Sequence, residues 1–531
     1  MTGTHHGPKT AAQMDTTFNT VLSSNLSATN KITRPATTII AAFDAPDIIQ
    51  DQADYVCNES DWEPDVQTLI TNAAGGKVLM MGGTFLKNTV AGFSIPSNTT
   101  LELIGTIQLI PNVGNDPHIL TISDVDNVKL IGGTYDGNLP NHTTLTGVGM
   151  DISLYNVTNS EISGIRAINA GVQTGAYSYA FYLNNCTNSN IHDCYAIDSG
   201  RSSYTIYNGC EGVRFANNYS INPVAHNFNV HNVTNCEIIG NVTQGGQRGV
   251  ELFGTISGLS VVGNYFNAFS YNALHAQATE LDLNKILFSN NSIVGAGGAM
   301  EPAIYLSEPF NNCQISNNYI SNSWAGIGAY GENLTIKNNR VDGCGHGIFT
   351  SGPVCVGAVI DGNVLTGQTT DSLWVNGSVG GIIENNILKD TAYVKLLNAD
   401  NVLFANNKFY RTLAASNDIY INSESDGVQV LNNYFLDTGL VTTKITNQGA
   451  NTKIAGNVGY ITENIGSATI VASETSKVVS HGLATTPTNV IVTPRGNIGS
   501  VWVDTFTATQ FTIHCSTAPA ADVDVSWSVE V

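Results

Sequence analysis

One signal punctuates this chain. Corners of the form NN or GN recur as FANNYS, IIGNVT, VVGNYF, FSNNSI, ISNNYI, IKNNRV, IDGNVL, IENNIL, FANNKF, VLNNYF and IAGNVG. Their second asparagines run from Asn218 through Asn241, Asn264, Asn291 and Asn318 to Asn457, spaced 21 to 27 residues apart. A period of that size belongs to solenoids, where each repeat buries its apolar face against the next copy. Between corners, β-branched and aromatic residues fall in short alternating runs broken by Gly, Asn and Ser, without helical spacing. Three short strands per turn account for this, one before the corner, one after it, and one such as AIYLSE or GIFTSG. The leucine and helix signatures of leucine-rich repeats are missing. The expected fold is therefore all-β, a right-handed parallel β-helix. The asparagines read as architecture, because Asn and Gly tolerate the left-handed backbone of a sharp corner and stacked Asn side chains can bond between coils.

Only 12% of residues are charged, so Asn, Ser, Thr, Gly and Tyr must cover much of the surface. The balance is acidic, 42 Asp plus Glu against 21 Lys plus Arg, which opposes nucleic-acid binding. A polyanionic ligand would need a local basic patch. No apolar run reaches the length of a transmembrane helix, and MTGTHHGPKTAAQMDTTF has no signal-peptide core. The nine cysteines show no CxxC or metal-ligand spacing and read as free, small apolar fillers.

Residues 1–35 are polar and read as an arm or adaptor. The β-helix is expected over 36–465, with a short capping helix around Val66 to Ile70 hiding the open end of the core. Residues 466–531 lose the period and read as a small C-terminal β-sandwich. The pieces AGGKVLMMGGTF and IPSNTTLELIG resemble the start of pectate-lyase-like β-helix proteins, a group common among viral tailspikes and archaeal or bacterial surface proteins. SHGLATTPTNVIVTP and TATQFTIHC look like C-terminal modules of phage tail-fibre and β-helix proteins. The resemblance implies a polysaccharide partner, an extracellular or virion-associated location, and a homo-oligomer, in the tailspike plan a trimer.

Registering the long strands on their corners yields two outward columns. One reads Ser153, Tyr182, Thr205, Asn229, Glu251, His275, Tyr305, Gly328, Phe349, Trp374, Lys395, Tyr420; the other includes Tyr155, Tyr207, His231, Phe253, Gln277 and Tyr330. Neighbours in a column stand ~4.8 Å apart. Glu251 should thus lie between Asn229 and His275, with His231 diagonal to it. Loops before the strands add Asp198, Arg201, His226, Arg248, Tyr271 and Glu301, the densest set of titratable groups in the solenoid. The catalytic candidates are Glu251, His231, His275, Arg248, Asp198 and Glu301. Substrate contacts are expected from Tyr182, Tyr207, Asn229, Tyr271, Gln277, Tyr305, Tyr330, Phe349 and Trp374, since a row of aromatic faces can stack on sugar rings. Burial of the same row between subunits is the competing expectation.

Glycoside hydrolysis needs two carboxylates ~5–9.5 Å apart, and Glu251 supplies one. Asp198 and Glu301 each lie two coils away, and no close DD or DxD pair marks this face. A lyase would use Arg248 or Arg201 to neutralise a uronate and His231, His275 or Tyr207 to take the adjacent proton. Hydrolysis is favoured because Glu251 is central, with non-catalytic glycan adhesion or a structural role as the alternative. No acidic cluster points to calcium, and the scattered spacing of His226, His231 and His275 argues against zinc, so no metal or cofactor is expected.

Overall fold

The computed structural model describes residues 37–142, 147–171, 178–276, 282–295, 301–412, 415–436 and 440–531. The N-terminal arm and Gln277 lie outside the described residues. The solenoid is a right-handed parallel β-helix. Short strands on either side of each corner, such as Arg214–Ala216 and Tyr219–Ile221, stack in parallel into one long folded sheet. The longer strands, such as His226–Thr234, stack into a second parallel sheet. One continuous apolar core runs inside, from Ile40 to Ile445.

The asparagine column is a continuous buried ladder. Asn218 donates its main-chain N–H and its Nδ2 to Asn241 Oδ1 at 2.8 and 3.1 Å, and Nδ2 also donates to the Ile191 carbonyl at 2.9 Å. The same set repeats at each step down to Asn433 and Asn457. The side-chain oxygen and both amide hydrogens are thus bonded at every interior rung, which a polar group in an apolar core requires. One expectation needs correcting. The ladder asparagines do not adopt the left-handed conformation; the residue before each one does, as at Asn217 (φ 55°), Gly240 (φ 65°) and Asn290 (φ 55°). The first letter of NN or GN turns the chain, and the second bonds the coils together.

The open end is capped as expected. The helix Glu63–Asn72 buries Val66 and Ile70 completely against the first coils, with Pro64 in its first turn, where the missing N–H has no intrahelical partner to lose. Trp62 packs on Phe85 and Phe93 and donates its indole N–H to the Leu86 carbonyl. After the last coil, two three-stranded antiparallel sheets enclose a separate core that includes Ile470, Phe511, Ile513, Val525 and Trp527. All nine cysteines are buried and free. No helix among the described residues is long and apolar enough to cross a membrane.

Candidate functional site

Five neighbouring long strands build the site: β1 (Ser202–Tyr207), β2 (His226–Thr234), β3 (Arg248–Ser257), β4 (Asn272–Ala276) and β5 (Pro302–Asn311). Their parallel pairing aligns Thr205, Asn229, Glu251, His275 and Tyr305 in one column. A second column aligns Ser202, His226, Arg248 and Asn272. The residue after each of these is small and packed inward. At Gly249 a Cβ would stand 2.5 Å from the Ala273 carbonyl oxygen and 2.6 Å from the Phe266 ring. The strand therefore has no room for a side chain at Gly249, between Arg248 and Val250.

Glu251 points away from the solenoid core, yet it is only 1% exposed, as is His275. His275 Nδ1 stands 2.9 and 3.0 Å from the two Glu251 oxygens, and Arg248 NH1 stands 3.0 Å from Oε2. A carboxylate only accepts, so Nδ1 carries the hydrogen on this side, and Nε2 is the ring's other end. That Nε2 is buried and meets no hydrogen-bond partner. Thr205 Oγ1, His226 Nδ1, Arg248 Nε and Glu301 Oε2 are likewise buried without partners. Buried polar atoms are seldom left unbonded, so their concentration in these coils marks a place for water or a ligand.

The neighbouring histidines are electrically quiet. Burial first, then the charges of Arg248 and Arg201 and the nearby imidazoles, push His226 down to about 3. Burial and Arg201 push His231 down to about 4. Both rings are neutral at pH 7, so Arg248 and Arg201 supply the positive charge here, with Arg248 paired to Glu251. His231 Nε2 donates to Asn229 Oδ1 at 3.0 Å, and its ring stacks on Phe253 at 4.4 Å. The Arg248 guanidinium lies 5.7 Å from the centre of the Tyr271 ring.

Rings continue along the face in two series. Tyr155, Tyr182, Tyr207, His231 and Phe253 follow one another with centroids 4.4 to 6.0 Å apart. His275, Tyr305, Tyr330, Phe349 and Trp374 follow at 5.7 to 6.5 Å. Phe349 is itself 8% exposed, wedged among Trp324, Tyr330 and Trp374, so it braces the row and has little ring face free for a ligand. A depression of about 450 Å³ opens beside Tyr155 at the far end of this face, lined by Asp116, His118 and Thr121, away from Glu251.

Two acidic candidates separate. Asp198 is an exposed, left-handed corner residue (φ 54°) whose carboxylate accepts from Asn222, which suits a turn. Glu301 is half-buried at the start of β5, with Oε2 unbonded. A second charged group, outside the sequence candidates, lies further along the face. There Asp371 lies between His346 and Lys395. The signal was present, because His346 in HGIF and Asp371 in DSLW precede their strands' column residues by three, as Arg248 does in RGVE.

Comparison with known proteins places the architecture. A family model described as periplasmic copper-binding protein (NosD) matches residues 289–458. The chain is similar to the tailspike protein of E. coli bacteriophage HK620. A double mutant of that protein aligns at 14% identity with a TM-score of 0.57, covering 92% of this chain and 93% of the other. A mutant in complex with hexasaccharide aligns at 13% identity and a TM-score of 0.52 over the same shares. No curated protein matches. This is a tailspike-like β-helix in architecture. Copper finds no counterpart in the side chains: among the described residues no three His, Cys, Asp or Glu groups could hold a metal ion. Cys313, Cys344 and Cys355 in the matched stretch are buried thiols, with burial raising the pKa of each.

Proposed function

We propose that this protein binds a polysaccharide along its long-strand face and cleaves it beside Glu251, His275 and Arg248. The observation that carries the reading is the Glu251–His275 pair. A buried carboxylate holds one imidazole nitrogen and leaves the other unbonded, which is how a proton-transfer histidine is oriented. In this reading Glu251 positions His275, and His275 Nε2 moves the proton. Arg248 offsets charge at the reacting sugar, while Tyr182, Tyr207, Asn229, His231, Tyr271 and Tyr305 form the sugar-contacting surface around them. The ring series supply faces for stacking. The solved tailspike structures bound to a hexasaccharide and a pentasaccharide support a glycan partner for this architecture.

With both Glu251 oxygens engaged, the reading we favour is elimination from a uronate. His275 Nε2 takes the proton beside the sugar carboxylate, the C4–O bond breaks, and the departing oxygen takes a proton from His275 or water. Arg248, whose Nε is unbonded, faces the carboxylate. The unbonded Glu301 Oε2 favours a second reading, hydrolysis in which Glu301 joins Glu251 as the other carboxylate. Gln277 belongs to the same proposed surface by its place in the sequence, and Phe349 supports it from beneath. We assign the chain to a virion or cell surface, as an oligomer with a β-helix over 36–465, a C-terminal module over 466–531 and an attachment role for residues 1–35. The test is a screen of bacterial capsular, O-antigen and cell-wall polysaccharides, read by new reducing ends and by absorbance of unsaturated products. Unsaturated ends establish elimination, and saturated ends establish hydrolysis. Binding without either leaves adhesion as the function and ends the catalytic reading.

A further inference from the structure

The long-strand face carries a second charged group that the cleavage reading does not use. It is built on β6 (Ala325–Glu332), β7 (His346–Val356), β8 (Asp371–Val379) and β9 (Tyr393–Leu397). Pairing aligns His346 with Asp371 and Asp371 with Tyr393, and it aligns Phe349, Trp374 and Lys395. Asp371 is 1% exposed, with His346 Nδ1 at 3.1 Å and Lys395 Nζ at 2.9 Å. As at Glu251, a buried carboxylate lies between a cation and an imidazole, but here both come from the flanking coils, whereas Arg248 shares the strand of Glu251. Five column steps separate Trp374 from Glu251, or about 24 Å.

Three differences set this group apart from the first. Lys395 Nζ lies 5.4 Å from the centre of the Trp374 ring and 5.0 Å from that of Tyr393, so its charge sits among ring faces. Trp324, 37% exposed, lies beside His346 with ring centres 4.7 Å apart. The Trp374 indole N–H is buried and meets no acceptor. His346 is held below the usual histidine range, by burial first, and so is a neutral ring at pH 7. Asp371 is ion-paired with Lys395 and faces His346, and around this pair the group offers aromatic faces together with the unbonded Trp374 N–H and the Lys395 ammonium as donors. Pyranose rings offer C–H faces for aromatic stacking, and their carboxylate or acetamido oxygens are acceptors for such donors.

We infer that Trp324, Trp374 and Lys395 form a second sugar-binding site, separate from the cleavage centre, that holds a pyranose bearing a carboxylate or carbonyl acceptor. The inference rests on the polysaccharide reading above. Both sites lie on one continuous parallel sheet of the solenoid, so a long chain can span them while a short oligosaccharide occupies only one. The gain is one of effective concentration, since the second contact becomes intramolecular once the first is made. Asp371 and His346 are positioning residues here; they fix the lysine and the Trp324 ring.

The test uses the full chain with size-fractionated bacterial capsular and O-antigen polysaccharides, acidic and neutral. Binding is measured by calorimetry and by tryptophan fluorescence for wild type, Trp324→Ala and Lys395→Met. Far-UV circular dichroism checks that each variant folds, and Trp324→Phe tests whether a ring alone restores binding. We expect long chains to bind each Ala or Met variant roughly tenfold more weakly, with cleavage of short fragments unchanged. Loss in Lys395→Met confined to acidic polymers identifies a carboxylate, and loss for both classes identifies a carbonyl. Polysaccharide that binds and is cleaved by wild type, with both variants binding long chains equally well, overturns the second site alone. Failure of every polysaccharide to bind wild type overturns the functional reading, and the second site falls with it.

Discussion

Asn264 sits on the ladder between the strand of Glu251 and that of His275, and its replacement by alanine tests what holds those coils in register. Its Oδ1 accepts from Asn241 N–H and Nδ2, both at 2.9 Å, and its Nδ2 donates to Asn291 Oδ1 at 3.0 Å and to the Ile238 carbonyl at 2.9 Å. Alanine removes all four and strands the Asn241 N–H and the Ile238 carbonyl in a site 2% exposed. At about 1 kcal/mol net for each bond, the local cost is about 4 kcal/mol. In a solenoid that cost falls on the altered repeat and its neighbours, because each coil touches only the next. Native-state hydrogen exchange is the suitable assay, since it reads opening coil by coil. Protection of amides from Ile238 to Phe288 should fall by a factor on the order of 10³, with coils beyond Phe349 little changed. A fall below tenfold, or one spread evenly along the chain, refutes the claim that side-chain rungs set local coil stability.

Other expectations follow from the same geometry. His226 and His231 stay neutral when folded, with values of about 3 and about 4 against an ordinary 6.5, so the unfolded chain takes up protons first as pH falls below 6.5. Folding stability should therefore drop between pH 6.5 and 4.5, by about 2–3 kcal/mol from His226 alone. Urea unfolding of His226→Gln should show a shallower pH slope, and an unchanged slope contradicts the assignment. Gly249→Ala would drive a Cβ into the Ala273 carbonyl and the Phe266 ring, costing about 1–3 kcal/mol. Its thermal midpoint should fall together with any Glu251-dependent activity, and wild-type behaviour in both would show that the close approach does not matter.

The fold was legible because its determinants are local and repeated. The corner period named the solenoid, and alternation alone aligned Asn229, Glu251, His275 and Tyr305 in the order the strands pair. Alternation gives direction but not burial. Glu251 and His275 point outward as expected and are nonetheless 1% exposed, because packing above the sheet depends on groups from several coils at once. Arg248 meets Glu251 from three residues away, across Gly249, a glycine whose tight packing appears only when the next coil's backbone is in place. For the same reason the Asp371 group went unnoticed, as its members are spread over His346, Asp371 and Lys395 on three successive strands. Within each NN or GN corner the first residue turns and the second bonds the coils, a division of labour set by how the coils stack and not by residue type alone.

The central claim is that His275, oriented by Glu251, moves the proton in glycan cleavage. Its most direct measurement is the single-turnover cleavage rate of His275→Ala on the polysaccharide that wild type degrades, with binding measured in parallel. The account predicts a rate lower by about 10²–10⁴-fold, affinity kept within a few fold, and partial recovery when imidazole is added. Cleavage by His275→Ala at the wild-type rate would contradict it.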